Sequence, residues 1–599
     1  MSAARASNLD FGVIGNCRIA ALIDSRGDYQ WLCLPRLDGD PVLNALLGGE
    51  GRFSITLSDL ADTEQCYLRN TAVLRTVLTD ANGAQIEIVD FAPRFRSRGR
   101  MFRPAQIVRL IRPLSGLPQI AVQLSPSEGF NNQSMPSSRG VSHVRYGEGS
   151  DALRVTTNAP IDHLISGHSF AIDRELVFIL GPDTTIPEDP IHLAREWEQE
   201  TIDYWRNWVH AMATPPDWQE AVIRAAITLQ LCVYEETGGI VAALTTSIPE
   251  HDHCERNWDY RYCWIRDSYF TVTALNRCAS MGALEHYLRF LRSVVAMTDQ
   301  DGPDSGHVQP LFGIGLETNI TEHIEDALPG YKGNRPVRRG NQAYEHIQHD
   351  VYGQIVLAAT PAFFDQRLHS AYGEAEFRAL EPIGERAFRV HDTSDAGIWE
   401  FREIAHVHTS SAIMCWAACD RLSRIANHIG LAERASYWAE RAAIIHATVC
   451  ERGFDANKNA FTMAYGVEDL DASVLLMAEI GFLPASDPRY IGTVDAVDRE
   501  LRVGNHVFRY KAEDDFGKPK TAFTVCTFWH LDALWRIGRR DEARAMFETV
   551  LRQANHLGLL SEDLHPETGE LWGNFPQTYS MAGIINSAFL MSRDWPDVV

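Results

Sequence analysis

Leu193-Ala-Arg-Glu-Trp-Glu-Gln-Glu-Thr-Ile-Asp-Tyr-Trp-Arg-Asn-Trp-Val-His-Ala-Met212, soon followed by Thr214-Pro-Pro-Asp217, is where the chain changes character. Trp197, Ile202, Trp205, Trp208 and Val209 recur at helical spacing among charged residues, which predicts an amphipathic helix. The two prolines stop it, and Asp217 offers a cap for the next helix. Everything before this stretch reads as β and everything after it as α. The expected division is therefore a β-domain over 1–190, a helical linker over 191–216 and a helical domain over 217–599.

Upstream, the runs Arg52–Leu57, Tyr67–Thr79, Gln85–Phe91, Gln106–Ile111, Gln119–Leu124 and Leu176–Leu180 alternate or are β-branched, with turn residues between them. They predict antiparallel sheets packed as a sandwich. Residues 125–150, rich in Ser, Gly and Asn, predict a long surface loop. Downstream, helical periodicity recurs over Trp218–Glu236, Ser268–Ser280, Leu284–Met297, Val351–Ala362, His408–Ile429, Leu431–Cys450, Asp471–Ile480, Val494–Leu501, Ala522–Ile537, Glu542–Asn555 and Tyr579–Met591. No sequence repeat points to a solenoid, so a closed ring of helical hairpins, an α/α toroid, is the economical reading. Its longer loops, near 240–265, 300–350, 385–405, 505–520 and 558–578, are the expected site builders.

A net charge of −24 and a pI near 5.4 argue against nucleic acid or an anionic membrane as partner, whereas a neutral substrate is compatible. A homo-oligomer is compatible too. The eleven cysteines form no evenly spaced framework and are expected as buried free thiols. The first ten residues hold no apolar leader, and no apolar run reaches membrane-spanning length, so a cytoplasmic location is expected. His251, His253 and Cys254, or His406 with His408, have no second pair at structural-zinc spacing, so neither a metal nor another cofactor is expected.

The residues that suggest chemistry fall in the loops. Asn257-Trp-Asp-Tyr-Arg-Tyr-Cys-Trp-Ile-Arg-Asp267 offers Tyr260, Tyr262 and Trp264 as flat faces for pyranose C–H groups, and Arg266 and Asp267 as paired hydrogen-bonding groups for hydroxyls. Glu400 follows Trp399, and a carboxyl desolvated by indole is suited to carry a proton at neutral pH, as a general acid must. Glu562, in Leu-Leu-Ser-Glu-Asp563, is the candidate general base, expected to stay ionised and to hold a water. Arg509 is a further candidate hydroxyl donor. Two carboxyls held roughly 6.5–9.5 Å apart are what inverting glycoside cleavage needs.

Assembled in this order, these motifs resemble glycoside hydrolase family 15, which contains glucoamylases, glucodextranases and bacterial trehalases. Phe11–Ser25 and Tyr29–Pro35 resemble the start of its prokaryotic β-domain, and Asn257–Asp267, Asn341–Gly353 and Gly397–Glu400 resemble three barrel motifs. The resemblance implies an (α/α)6 barrel behind a β-sandwich, acting on a neutral α-glucoside. By position it makes Glu400 the general acid and Glu562 the general base. Arg266, Asp267, Trp264, Trp399 and Arg509 would bind glucose, and Tyr260 would stabilise the transition state. The implied activity is an inverting, exo-acting α-glucosidase that releases β-glucose from short α-glucans; α,α-trehalase is the alternative. A disaccharide phosphorylase on a related toroid is more distant, because Glu562 occupies the place of its phosphate pocket. A non-catalytic sugar sensor would be expected to lose one glutamate. Two departures concern the leaving-group side: Phe401 stands where fungal glucoamylases have a second glutamate, and Ser411-Ala412 replaces a Ser-Lys pair. With no starch-binding module after the last helix, granular starch is a poor expectation.

Overall fold

The computed structural model describes residues 9–298 and 305–597. The extreme N-terminus, read above as lacking a leader, and the first residues of the loop predicted near 300–350 lie outside the described residues.

Among the described residues, two antiparallel sheets of seven and eight strands face each other near the N-terminus. The first begins with Phe11–Gly15, Ala20–Asp24 and Tyr29–Leu34; the second sets Ile107–Ser115 between Leu176–Pro182 and Gln85–Phe91. Ile107 and Ile111 belong to the core between the sheets, whereas Val108 and Leu110 pack outward with Ala194 and Ile202 of the helix Pro190–His210. A strand covered on both faces reads as an unbroken apolar run, so period-two alternation fades there. Two predictions need correcting. Tyr67–Thr79 is not one strand: a turn with Asn70 at φ 60° separates Leu60–Tyr67 from Leu74–Asp80. The predicted 125–150 loop contains a hairpin, Ser137–Arg139 with His143–Tyr146, that extends the second sheet.

The connecting helix ties the two halves together. Asp189 caps it by accepting from the Ile191 amide, and proline begins it. Its first turns pack on the sandwich, and Trp205 and Val209 enter the core of the helical half.

In that half Ile265–Arg277, Asp350–Ala359, Thr409–His428, the 3-10 segment Ala472–Met477, Thr524–Arg536 and Thr578–Met591 each pack on the next, and the last returns to the first. Gln219–Leu231, Met281–Ala296, Glu374–Val390, Ala432–Arg452, Pro488–Glu500 and Arg540–Gln553 form the outer layer. The result is an (α/α)6 barrel behind a β-sandwich. Inner helices are buried on every side, as Asp350–Ala359 is along its whole length, whereas Glu374–Val390 buries only a stripe that includes Phe377, Leu380, Ile383 and Ala387. Gly353 lets two inner helices meet closely: a Cβ there would lie 2.3 Å from the Met414 carbonyl oxygen.

Glu374–Val390 was not predicted, and the loop expected from 385 begins inside it. Pro382 and Gly384 interrupt its apolar pattern. Asp471–Ile480 folds as a 3-10 segment rather than an α-helix. All eleven cysteines are free, nine of them buried. No helix among the described residues is long and apolar enough to cross a membrane.

Candidate active site

The starts of Ile265–Arg277, Thr524–Arg536 and Thr578–Met591, with the loops that carry Tyr260, His346, Glu400 and Arg509, line a pocket at one end of the ring. The short strand Cys263–Trp264 runs straight into Ile265–Arg277, so Arg266 and Asp267 occupy that helix's first turn at the pocket floor. An acidic residue is favoured there by the helix dipole. The Asp267 carboxyl receives no hydrogen bond from another side chain among the described residues and is free for a ligand. Burial pushes it up to about 7 against the pull of Arg266.

Glu400 sits on a tight turn in which both Gly397 and Glu400 itself have positive φ, 64° and 63°. Three N–H groups converge on its Oε1: Trp264 Nε1 at 2.6 Å, Arg266 Nη2 at 3.2 Å and Gln348 Nε2 at 3.2 Å. An oxygen that already accepts three donors has no room for a proton, so any proton carried by Glu400 sits on Oε2. The indole that serves this carboxyl is therefore not the predicted one. Trp399 Nε1 turns away to Asp471 at 2.7 Å, while the Trp399 ring lines the pocket among Tyr510, Phe523 and Trp529.

Behind the turn lies a buried dyad. His408 Nδ1 is 2.8 Å from Asp395, whose other oxygen accepts from Ser411 Oγ and the His349 amide, each at 2.8 Å. The His408 ring stacks on Phe401 and fills the space where a Cβ on Gly397 would go, 2.8 Å from the ring. His406 and His408 thus meet edge to face, and His408 is spent on Asp395.

Glu562 is 1% exposed. Its Oε1 accepts the Tyr260 hydroxyl at 2.5 Å and its Oε2 the Asn574 amide at 3.2 Å. Gly573, at φ 73°, makes room for it: a Cβ there would come within 2.6 Å of the glutamate side chain. Tyr260 lines the pocket and Glu562 lies behind it, linked through that hydroxyl. The Tyr260 ring meets Trp264 edge-on at 5.4 Å, so two touching rings hold the two carboxyls. An ionised Glu562 is expected from the sequence, whereas its surroundings favour the protonated form. Burial, and then the charge of Glu250, push it up to about 8, against the Tyr260 hydrogen bond and Arg509. Asp563 is likewise raised by burial and by Glu250.

Arg509 reaches the pocket wall, but its Nη2 already donates to both oxygens of Glu250, at 2.7 and 2.8 Å. At the rim, Arg256 pairs with Asp514, and the Arg402 amide donates to Asp515 at 2.5 Å. Seven of the nine predicted residues thus line one pocket; Glu562 stands behind it, and Tyr262, expected as a sugar-facing ring, packs instead beside Trp264, Leu311 and Ala343, off the pocket lining. Glu250 and the Asp395–His408 pair were missed; each acts through a partner distant in sequence. Gln348 and Asp350 lie inside the quoted 341–353 stretch, which was the signal for them. Arg266 Nη1 holds both, at 2.8 and 3.1 Å.

Two ring-held carboxyls at the end of an (α/α)6 barrel, with a free aspartate and buried guanidinium groups around them, are suited to cutting a bond between sugars, and the protein is a glycoside hydrolase. A family model described as Glycosyl hydrolases family 15 matches residues 217–589, and one described as Trehalase-like, N-terminal, matches residues 2–178. The chain belongs to glycosyl hydrolases family 15. It is 30% identical over 592 residues to a trehalase of Thermoplasma volcanium, covering 96% of this chain and 92% of that protein. It is 32% identical to a trehalase of Mycolicibacterium smegmatis, covering 98% and 91%. Among solved structures, a bacterial glucoamylase complexed with acarbose matches with a TM-score of 0.70 at 14% identity, over 99% of this chain and 96% of that one, a likeness of fold.

Proposed function

We propose that this protein is an α,α-trehalase that hydrolyses trehalose with inversion, giving one β-glucose and one α-glucose. The observation that carries this is the full-length similarity, sandwich included, to relatives named trehalase at about 30% identity. The glucoamylase-type reading taken first from the sequence has only a likeness of fold behind it.

In this reading Glu400 is the general acid. Its proton, on Oε2, goes to the bridging oxygen while Oε1 stays held by Trp264, Arg266 and Gln348. Glu562 is the general base, taking a proton from water on the opposite face of the ring once it has lost its own, with the Tyr260 hydroxyl as its link to the pocket. Asp267 and Arg266 grip hydroxyls of the glucose that is attacked, Trp264 and Trp399 give it aromatic walls, and Arg509 adds a donor. Residues 1–190 serve as the sandwich domain, 191–216 as the linker and 217–599 as the catalytic domain. A cytoplasmic location suits the eleven free thiols.

A glucose-release panel of trehalose, maltose, isomaltose and maltotriose, each with and without phosphate, tests the substrate. Trehalose is expected to be cut fastest and without need of phosphate; a preference for maltose or maltotriose would return the glucoamylase reading. Proton NMR of fresh product from trehalose should show α- and β-glucose in equal amounts. α-Glucose alone would exclude inversion.

A further inference from the structure

Away from the pocket, a cavity of about 820 Å³ opens where the sandwich meets the barrel. On one side stands the hairpin Phe95–Ser97 and Arg100–Phe102, joined by Arg98 and Gly99 at φ 49° and 75°. The segment Arg94-Phe-Arg-Ser-Arg-Gly-Arg-Met-Phe-Arg103 carries five arginines and no acid, in a chain of net charge −24. Four of them, Arg94, Arg96, Arg100 and Arg103, line the cavity; Arg98, in the turn, does not. Arg96 and Arg100 are exposed and make no ion pair with another described residue.

The opposite wall is the start of the barrel helix Met281–Ala296. Ser280 makes no capping hydrogen bond, the first turn holds no acid, and open space surrounds Gly282. The Met281 amide already donates to the Ala279 carbonyl at 3.0 Å, and the remaining amides of the first turn give the terminus its partial positive charge. Among the described residues three buried nitrogens around the cavity also lack a hydrogen bond: Arg94 Nε, His286 Nδ1 and Arg103 Nη1, the last with Glu236 at 3.6 Å. Arg94 is itself 1% exposed. The carboxylates nearby are already engaged. Glu235 pairs with Arg94 and lies 3.5 Å from Arg103, Glu236 lies 3.6 Å from Arg103, and Glu285 accepts the His369 amide at 3.0 Å. Arg367, also on the wall, is paired with Asp365.

We propose that this cavity is a binding site for a phosphate ester, a small organic molecule whose dianionic phosphate bridges the arginine hairpin and the helix terminus. Buried guanidinium N–H groups without acceptors, such as Arg94 Nε, are costly and are satisfied by an oxyanion. The volume exceeds what a bare phosphate fills, and Tyr204, Trp208 and Met281 supply apolar surface for the rest of the ester. The site is separate from the proposed trehalose pocket, and its test does not rely on that activity.

Isothermal titration of the full chain at constant ionic strength, with phenyl phosphate, inorganic phosphate and phenol as probes, decides the matter. Saturable one-to-one binding of phenyl phosphate is expected, tighter than inorganic phosphate and absent with phenol. Arg96→Ala and Arg100→Ala should each weaken it tenfold or more, whereas Arg98→Ala, which removes the same charge outside the cavity, should change it less than twofold. Circular dichroism of each variant checks the fold. No binding of phenyl phosphate, or an equal loss in Arg98→Ala, would overturn the site. Equal affinity for the two phosphates would assign it to the free anion and overturn the ester.

Discussion

Glu400 and Glu562 are the same residue type placed in opposite surroundings. The Glu400 side chain is 22% exposed, on a turn with positive φ, and three N–H donors fix one of its oxygens. Glu562 is 1% exposed, holds one hydroxyl and one amide, and has Glu250 as a like-charged neighbour. In the proposed mechanism the first setting determines where a proton is carried and the second when one is lost. Hydrogen-bond geometry marks one carboxyl, and burial reinforced by a like charge marks the other, so different interventions should disturb them.

The largest effects should come from removing each carboxyl in turn. Glu400→Gln and Glu562→Gln are each expected to lower kcat on trehalose by about 10²–10⁴-fold, the usual size of a general acid or base contribution, while glucose still binds. α-Glucosyl fluoride separates the two, because fluoride leaves without a proton. The Glu400 variant should recover most of its rate on the fluoride and the Glu562 variant should not. The reverse pattern would exchange the two roles, and full activity in either variant on trehalose would remove that residue from the mechanism.

How far this contrast could be read from sequence depends on the range of the contacts. The motif containing Tyr260, Trp264, Arg266 and Asp267 is local, and its residues do gather at one helix start. Trp399 looked like the partner of Glu400 because it precedes it, yet the partner is Trp264 from another loop. Adjacency in the chain says little about contact when the backbone turns through positive φ. Glu250 lay in a loop with no pattern to mark it, and its effect on Glu562 and Arg509 exists only once three loops converge. The ring of helices was legible because buried helices carry long apolar periods. Glu374–Val390 was not, because its proline and glycine imitate a break.

Next in size is Gly397→Ala, which leaves the Glu400 carboxyl in place and acts on the turn that carries it. The new methyl would meet the His408 ring at 2.8 Å and strain a backbone held at φ 64°. Such strain costs about 1–3 kcal/mol, and a catalytic group displaced by about 1 Å can lose about 10²-fold. The expected loss in kcat on trehalose approaches that figure, with KM little changed. On α-glucosyl fluoride the variant should stay within a few-fold of the parent enzyme. An equal loss on both substrates would mean that the turn supports the whole pocket rather than the acid.

The smallest effects concern charge at Glu562 and are read as pH profiles. Its carboxyl is raised from the ordinary 4.5 to about 8, so the folded state holds a proton that the unfolded chain has released. The stability this confers is fully present below 4.5 and is lost as pH rises through 8, in total on the order of a few kcal/mol. Glu562→Gln, always neutral, should flatten the fall in melting temperature across that window; an unchanged slope would show that Glu562 is ionised throughout. Glu250→Gln leaves the burial of Glu562 in place but removes the like charge that, after burial, raises it. The acid limb of kcat/KM, measured against the variant's own plateau, should therefore move to lower pH. A limb that stays in place would leave burial alone to explain the proton on Glu562. A limb moving to higher pH would show that Glu250 acts chiefly by holding Arg509 in position, since a displaced guanidinium would stabilise the carboxylate less.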